Sequence, residues 1–325
     1  MQKCERNVAL PVPSDEITET QASEKTASAK VLLAYFLCAT IWGTTWYAIR
    51  VCIAPGGFPT YPAAALRFTL SALLLGIYWL VQVRKLKPPT ATELKWIFCA
   101  GGTSGVAYGL LYSAEEQISG GLAAVLSATG PLIAAMIAMV TKTEATSRIK
   151  IFGSIFAIAG VALVFHDRLQ VSIAQASAVG IVTVVCVLNA CSNVMMKRHA
   201  KAVAAIACNT IFFGAASVTL WIASVLSGKY AISEWNPGPT AALLYLTLFG
   251  TLIAFAAFFY LLKHVRLSTA MTLAFVTPII ALAVDAIFEK GTVFTGETYL
   301  GIAIVLVSVA MSVLVKDPKV LKEIH

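Results

Sequence analysis

Charge is the scarcest property of this sequence. Asp, Glu, Lys and Arg make up only 12% of its 325 residues, about half the share in a soluble globular protein. So little charge excludes a water-soluble globule of this size. Histidine is equally sparse, with four residues, one of them at the last position, and no HExxH pair. The seven cysteines are an odd number and contain no CxxC pair, so they suggest neither a disulfide framework nor a zinc site. Six of them lie in or beside apolar runs, where cysteine serves as a small buried apolar residue. No GxxxxGK[ST] loop occurs, which excludes ATP-driven work by this chain alone. Basic residues interleaved with aromatics are also missing, so the net charge of +8 is not a nucleic-acid footprint. No cofactor or metal is expected.

Apolar residues fill the space that charge leaves, at 58% of the chain. Uncharged runs near the roughly 20 residues needed to cross a bilayer recur from end to end. Ten are expected to span, near 31–50, 61–83, 96–114, 120–141, 149–166, 176–196, 203–226, 240–262, 268–288 and 297–315. They are too long and too uniformly apolar for barrel strands, so the expected fold class is an all-α membrane protein of ten transmembrane helices. Residues 1–30 are polar and of mixed charge and read as a disordered cytoplasmic tail, with 317–325 as a second tail. Alternate assignment of the loops puts 19 Lys and Arg on the side of the termini. Only Arg50, Arg168, Lys229 and Lys290 fall on the other side, with Arg67 inside a span. That asymmetry is the positive-inside pattern and places both termini in the cytoplasm.

The chain also matches itself at an offset of 147 residues. Pro131 in GPLIAAMIAM falls on Pro278 in TPIIALAVDA, Trp42 on Asn189, Trp46 on Asn193 and Arg50 on Lys197. Each half, 31–166 and 176–316, carries five expected spans. Because five is odd, the second half must enter the membrane reversed, giving two inverted-topology repeats related by an axis in the membrane plane. Such repeats can rock against each other around a site at their interface, which is a carrier architecture.

Several residues could carry transport. Asp285 is the one carboxylate placed inside a span, a costly position. It lies two turns from Pro278, on the same helix face. It reads as a proton-coupling or amine-binding group, or as a helix-end charge paired with Lys290 or Arg168. Arg67 could attract an anionic substrate or gate against Glu115, or it could snorkel to the interface on its long stem. Glu115, beside Glu116 at the end of span three, could form an external gate or be a solvated helix end. Trp42 and Trp46 share one face of span one with Thr45 nearby, and Asn189 and Asn193 share the corresponding face of span six beside Ser192. The amides need partners at lipid depth, either across helices or in a wet cavity. Pro131 and Pro278 break the helical ladder in matching spans, a pointer to a binding site in inverted repeats. Tyr108 and Tyr112 are candidate cavity aromatics or ordinary packing residues. The expected cavity is lined by spans one, three, four, six, eight and nine.

These motifs resemble those of EamA-type transporters in the drug/metabolite transporter superfamily. The matching stretches are IWGTTWYAIR in span one, AALRF in span two and SAEEQISGGLAAVLSATGPLIAAMIAM followed by Glu144. LSTAMTLAFVTPIIALAVDAIFE repeats the last of these in the second half, with an added Asp285 and with Glu289 only eleven residues after Pro278. The resemblance implies ten helices, cytoplasmic termini, a central cavity and movement of a metabolite across a bacterial inner membrane. The resulting expectation is a non-enzymatic secondary transporter working by alternating access. A proton-coupled exporter of an amino acid or similar polar or amphipathic solute is the leading form. A facilitator or exchanger of a sugar or nucleotide sugar, or a non-transporting receptor, are the alternatives. The expected partners are a small-molecule substrate, protons and the lipid bilayer, with no nucleic acid.

Overall fold

The computed structural model describes residues 14–82, 87–130, 132–133, 136, 148–200, 202–228, 230, 232, 235–265, 272–289 and 294–314. The described residues are helical throughout, with no strand. Helix α1 runs Ser14–Ile53, α2 Thr60–Gln82, α3 Ala91–Ala114, α4 Gly120–Ser127, α5 Arg148–Val171, α6 Ile173–His199 and α7 Ala205–Leu226. Next come α8 Pro237–Thr247, a π-helical segment Leu248–Ile253, α9 Ala254–His264, α10 Leu273–Phe288 and α11 Gly296–Leu314.

Among the described residues, five segments are long and apolar enough to cross a membrane: Ala29–Ile53, Thr60–Val81, Ile173–Met196, Ala205–Leu226 and Pro237–Phe258. Ile155–Val164, Leu273–Phe288 and Gly296–Met311 form shorter apolar helices. The apolar surface expected against lipid is present: Leu32, Phe36, Leu80, Phe152, Ile222, Ile287 and Val307 are all exposed. Of the fourth expected span, only α4 and a few following residues are described.

Local chemistry sets several boundaries. Thr90 caps α3 in a capping box, its side chain accepting from the Glu93 amide while the Glu93 carboxylate accepts from the Thr90 amide. That backbone hydrogen bond holds the exposed Glu93 carboxyl below its ordinary value. Ser172 alone separates α5 from α6 and accepts from the Gln175 amide at 3.1 Å. The loop expected near 167–175 is therefore a single capped residue. A second departure is at the N-terminus, where α1 begins at Ser14 inside the segment expected to be disordered. No proline follows Pro13 there, and Glu16, Glu19, Ala22, Glu24 and Ala27 are compatible with helix.

The packing carries the duplication into three dimensions. Under the 147-residue offset α1 corresponds to α6, α2 to α7, α3 to α8 and α9, and α5 to α11, while the expected span 120–141, which begins with α4, falls on 267–288, which ends with α10. Helices α2 and α7, α4 and α10, and α5 and α11 each pack on their own counterpart. The α3–α6 contact is matched by α1 against α8 and α9, the α1–α10 contact by α4–α6, and the α3–α7 contact by α2–α8. Exchanging the halves thus maps these helix contacts onto one another. Where α5 meets α11, a Cβ built on Gly160 would lie 2.8 Å from the Gly301 carbonyl oxygen, and one on Gly301 would lie 2.8 Å from that of Gly160. Small residues that let backbones touch are the usual basis of helix association in lipid.

Candidate functional site at the seam between the repeats

Two groups of buried and half-buried charges lie where the halves meet. The first surrounds the end of α1. Arg50, in the last turn of α1, forms an ion pair of 2.5 Å with Glu289, which caps α10. The same guanidinium donates to the main-chain oxygen of Glu115 at the end of α3. Asp285, 1% exposed on α10, accepts at 2.6 Å from the Gly121 amide in the first turn of α4. A carboxylate at a helix N-terminus is stabilised by the free amides and the macrodipole there. The contact requires a glycine, since a Cβ on Gly121 would sit 2.6 Å from Asp285 Oδ2 and 3.0 Å from the Leu282 Cα. One helix over, a Cβ on Gly120 would lie 2.9 Å from the Trp46 backbone. Helices α1, α4 and α10 therefore converge at this end with almost no side-chain volume between them.

Glu115 is enclosed completely, at 0% exposure, so it is not the solvated helix end weighed from sequence. Among the described residues neither of its carboxyl oxygens has a hydrogen-bond partner, and Asp285 Oδ1 and Glu289 Oε2 also lack one. Arg50, Asp285, Arg67 and Glu289 all act on the Glu115 carboxyl electrostatically. Glu116 is exposed and accepts from Thr60.

The second group is centred on Arg67, which is 4% exposed. It does not snorkel; its guanidinium is held between helices of both halves. Nε donates to Thr251 Oγ1 at 3.1 Å and Nη1 to the Tyr112 hydroxyl at 3.4 Å. Its Cζ lies 5.5 Å from the Phe68 ring centroid and 5.6 Å from that of Tyr108, distances suited to cation–π attraction. Tyr112 is fully buried, and Tyr108 packs edge-on against Phe68 at 4.7 Å. Thr251 lies in the π-helical segment and passes its own hydroxyl hydrogen to the Leu246 carbonyl, five residues back. A Cβ on neighbouring Gly250 would lie 2.8 Å from Thr45 Cγ2 and 3.6 Å from Arg67 Nη2. Thr45 on α1, Arg67 on α2, Tyr108 and Tyr112 on α3 and the π segment thus meet at one junction.

The remaining candidates divide. Trp42 packs on Phe255 and Phe258 of α9, with centroids 5.6 and 5.2 Å away. Trp46 borders the apolar cluster shared by α3, α4 and α6. Asn189 accepts from Ser104 at 3.2 Å and Ser192 donates to the Ala100 carbonyl at 2.9 Å, so this face of α6 is tied to α3. Thr44 and the Tyr245 hydroxyl, 2.6 Å apart, tie α1 to α8 in the matching place. Asn193 is exposed, near the end of α6, and does not join Asn189 at this contact. Pro278 is buried within α10, whereas Pro131 lies outside the described residues.

Sequence reasoning passed over Thr251, Gly250, Arg50, Glu289 and Gly121 as site residues. The Gly250–Thr251 pair inside an apolar run was a readable signal, because an isolated glycine in a helix often has a packing or functional reason. Its 147-residue counterpart is the glycine-rich stretch Gly101 to Gly105, where Ser104 falls on Thr251. Single-turn π segments occur frequently at functional sites. Arg50 and Glu289 gave no local signal, being 239 residues apart and each unremarkable at a helix end.

A duplicated helical membrane protein with buried charges along the seam of its halves belongs to the class of membrane transporters. The chain is a member of the EamA-like transporter family, whose model matches it twice, over residues 29–166 and 176–314. It is similar to the uncharacterized inner membrane transporter YedA of Escherichia coli strain K12, at 28% identity over 82% of this chain and 83% of the relative. The uncharacterized transporter YoaV of Bacillus subtilis strain 168 is 26% identical, over 78% and 86%. A solved crystal structure 17% identical superposes with a TM-score of 0.59, covering 88% of this chain and 97% of the other, which supports the fold.

Proposed function

We propose that this protein is a proton-coupled secondary transporter that exports a small polar or amphipathic metabolite, such as an amino acid, by alternating access. Its ten spans form two inverted repeats, 31–166 and 176–316, with both termini cytoplasmic in a bacterial inner membrane. The observation that carries the reading is the bond from the Gly121 amide to Asp285, a buried charge-assisted contact joining matching helices α4 and α10 across the seam. Ionisable residues at membrane depth mark ion and substrate pathways.

The proposed cycle follows from that contact. With Asp285 ionised, its carboxylate ties α10 to the N-terminus of α4, and the Arg50–Glu289 pair ties α10 to α1. The ends of three helices are then shut together on the extracytoplasmic side. Protonation replaces a charge-assisted hydrogen bond with a neutral one about half as strong. The halves can then part on that side and close on the other, so that the protonation state of Asp285 is linked to the change of access.

Reconstitution into liposomes with an imposed pH gradient tests this. Saturable solute movement that responds to the gradient is expected of the wild type. Asp285→Asn, which keeps the shape and abolishes the titration, is expected to leave solute exchange but remove the gradient dependence. If the variant responds to the gradient as the wild type does, Asp285 is not the coupling group.

A further inference from the structure

We infer that Arg67 is the anchor for a carboxylate group on the transported solute. The inference rests on the transport reading and names the substrate chemistry it leaves open. Arg67 is a fixed positive charge inside the molecule, 4% exposed, and among the described residues no carboxylate lies within ion-pairing distance of it. Its two hydrogen bonds go to neutral hydroxyls, those of Thr251 and Tyr112, and use Nε and Nη1. A guanidinium carries five N–H donors. The Nη2 edge lies beside Gly250, where a built Cβ would sit 2.8 Å from Thr45 Cγ2 and 3.6 Å from Nη2, and among the described residues Nη2 donates no hydrogen bond.

An enclosed charge without a contacting counter-ion is costly to keep, and that cost is recovered when an anion arrives. Glu115 is enclosed as well but forms no ion pair with Arg67 among the described residues. Among the described residues its oxygens accept no hydrogen bond. Arg67 is also well held. Thr251 and Tyr112 fix two of its nitrogens, while Phe68 and Tyr108 lie 5.5 and 5.6 Å from its Cζ. A planar fork held in this way is what bidentate carboxylate recognition needs.

The position suits a carrier as well, because Arg67 and Tyr112 come from the first repeat and Thr251 and Gly250 from the second. A bound carboxylate would bridge the moving halves. One guanidinium matches the single charge of a carboxylate; the second charge of a phosphate would find only hydroxyls around it. The aromatic rings beside it favour a solute whose carboxylate adjoins an apolar body.

The test is counterflow in proteoliposomes with labelled L-phenylalanine, L-leucine, D-glucose and UDP-glucose, using unlabelled phenylalaninamide and leucinamide as competitors. Counterflow of the amino acids is expected, with the amides competing at least about tenfold less well than the acids, the effect of a lost hydrogen bond to a charged group. Arg67→Lys, which keeps the charge and loses the fork, is expected to raise KM for the acid by a similar factor. Thr251→Val, a milder change should the lysine variant fold poorly, is expected to raise KM several-fold with a smaller effect on maximal rate. Amides that compete as well as acids, wild-type KM in both variants, or counterflow of glucose or UDP-glucose in place of the amino acids would each overturn the anchor and leave a transporter standing. Absence of saturable counterflow for all four solutes in well-folded wild-type protein would count against the transport reading itself, and the anchor would fall with it.

Discussion

At the scale of single residues, the seam depends on groups whose size or charge admits no substitute. Gly121 is one such case. Any Cβ there would meet Asp285 Oδ2 at 2.6 Å and the Leu282 main chain at 3.0 Å. The second of these is backbone, which a rotamer change cannot move. Gly121→Ala is therefore expected to push α4 from α10 and destabilise the protein by about 1–3 kcal/mol, the usual cost of overpacking. Thermal unfolding in detergent would measure it, and an unchanged midpoint would refute the close contact. Arg67 illustrates how little residue type and depth reveal alone. Six residues into an expected span, it is equally consistent with snorkelling and with internal anchorage, and only the packing of Phe68, Tyr108 and Tyr112 around it decides.

At the scale of elements, matching helices use different chemistry at matching contacts. The α3–α6 contact is sewn by Ser104 to Asn189 and by Ser192 to Ala100, while its counterpart between α1 and α8 is joined by Thr44 and Tyr245. Hydrogen bonds of this kind inside membranes contribute only about 0.6 kcal/mol on average. Ser104→Ala is accordingly expected to lower stability by about that amount, whereas Gly160→Val, which forces α5 from Gly301, costs roughly 1–3 kcal/mol. The two values, compared by unfolding in one detergent, would show whether backbone contact or polar pairing holds the helices together. The π segment belongs to this scale too. It brings Thr251 to Arg67 while its hydroxyl still bonds the Leu246 carbonyl, an arrangement that depends on the local widening of the helix.

At the scale of the whole molecule, topology and symmetry govern. The Lys and Arg distribution predicts a cytoplasmic C-terminus. A reporter that fluoresces only in the cytoplasm is expected to be bright when fused after His325, and one that is active only outside is expected to be silent there. The reverse result would refute the ten-span count. The exchange symmetry of the helix contacts also has a mechanical consequence. A protein whose halves are interchangeable can hold two closures of similar energy, one at each face of the membrane, and coupling needs only a charge whose protonation favours one of them.

The sequence alone determined the membrane class, the apolar runs and the duplication. These follow from composition and period, and each residue reports on them independently of its distant neighbours. Membership of the EamA-like family was legible in the same way, from motifs contiguous along the chain. Arg67, Asp285 and Glu115 stood out because charge is rare here. Tertiary structure alone decided what those charges face. Arg50 meets Glu289 across 239 residues, Gly121 meets Asp285 across 164, and Arg67 meets Thr251 across 184. Such pairings arise when two halves fold back on one another, and their geometry is set by helix packing at distances no local pattern encodes.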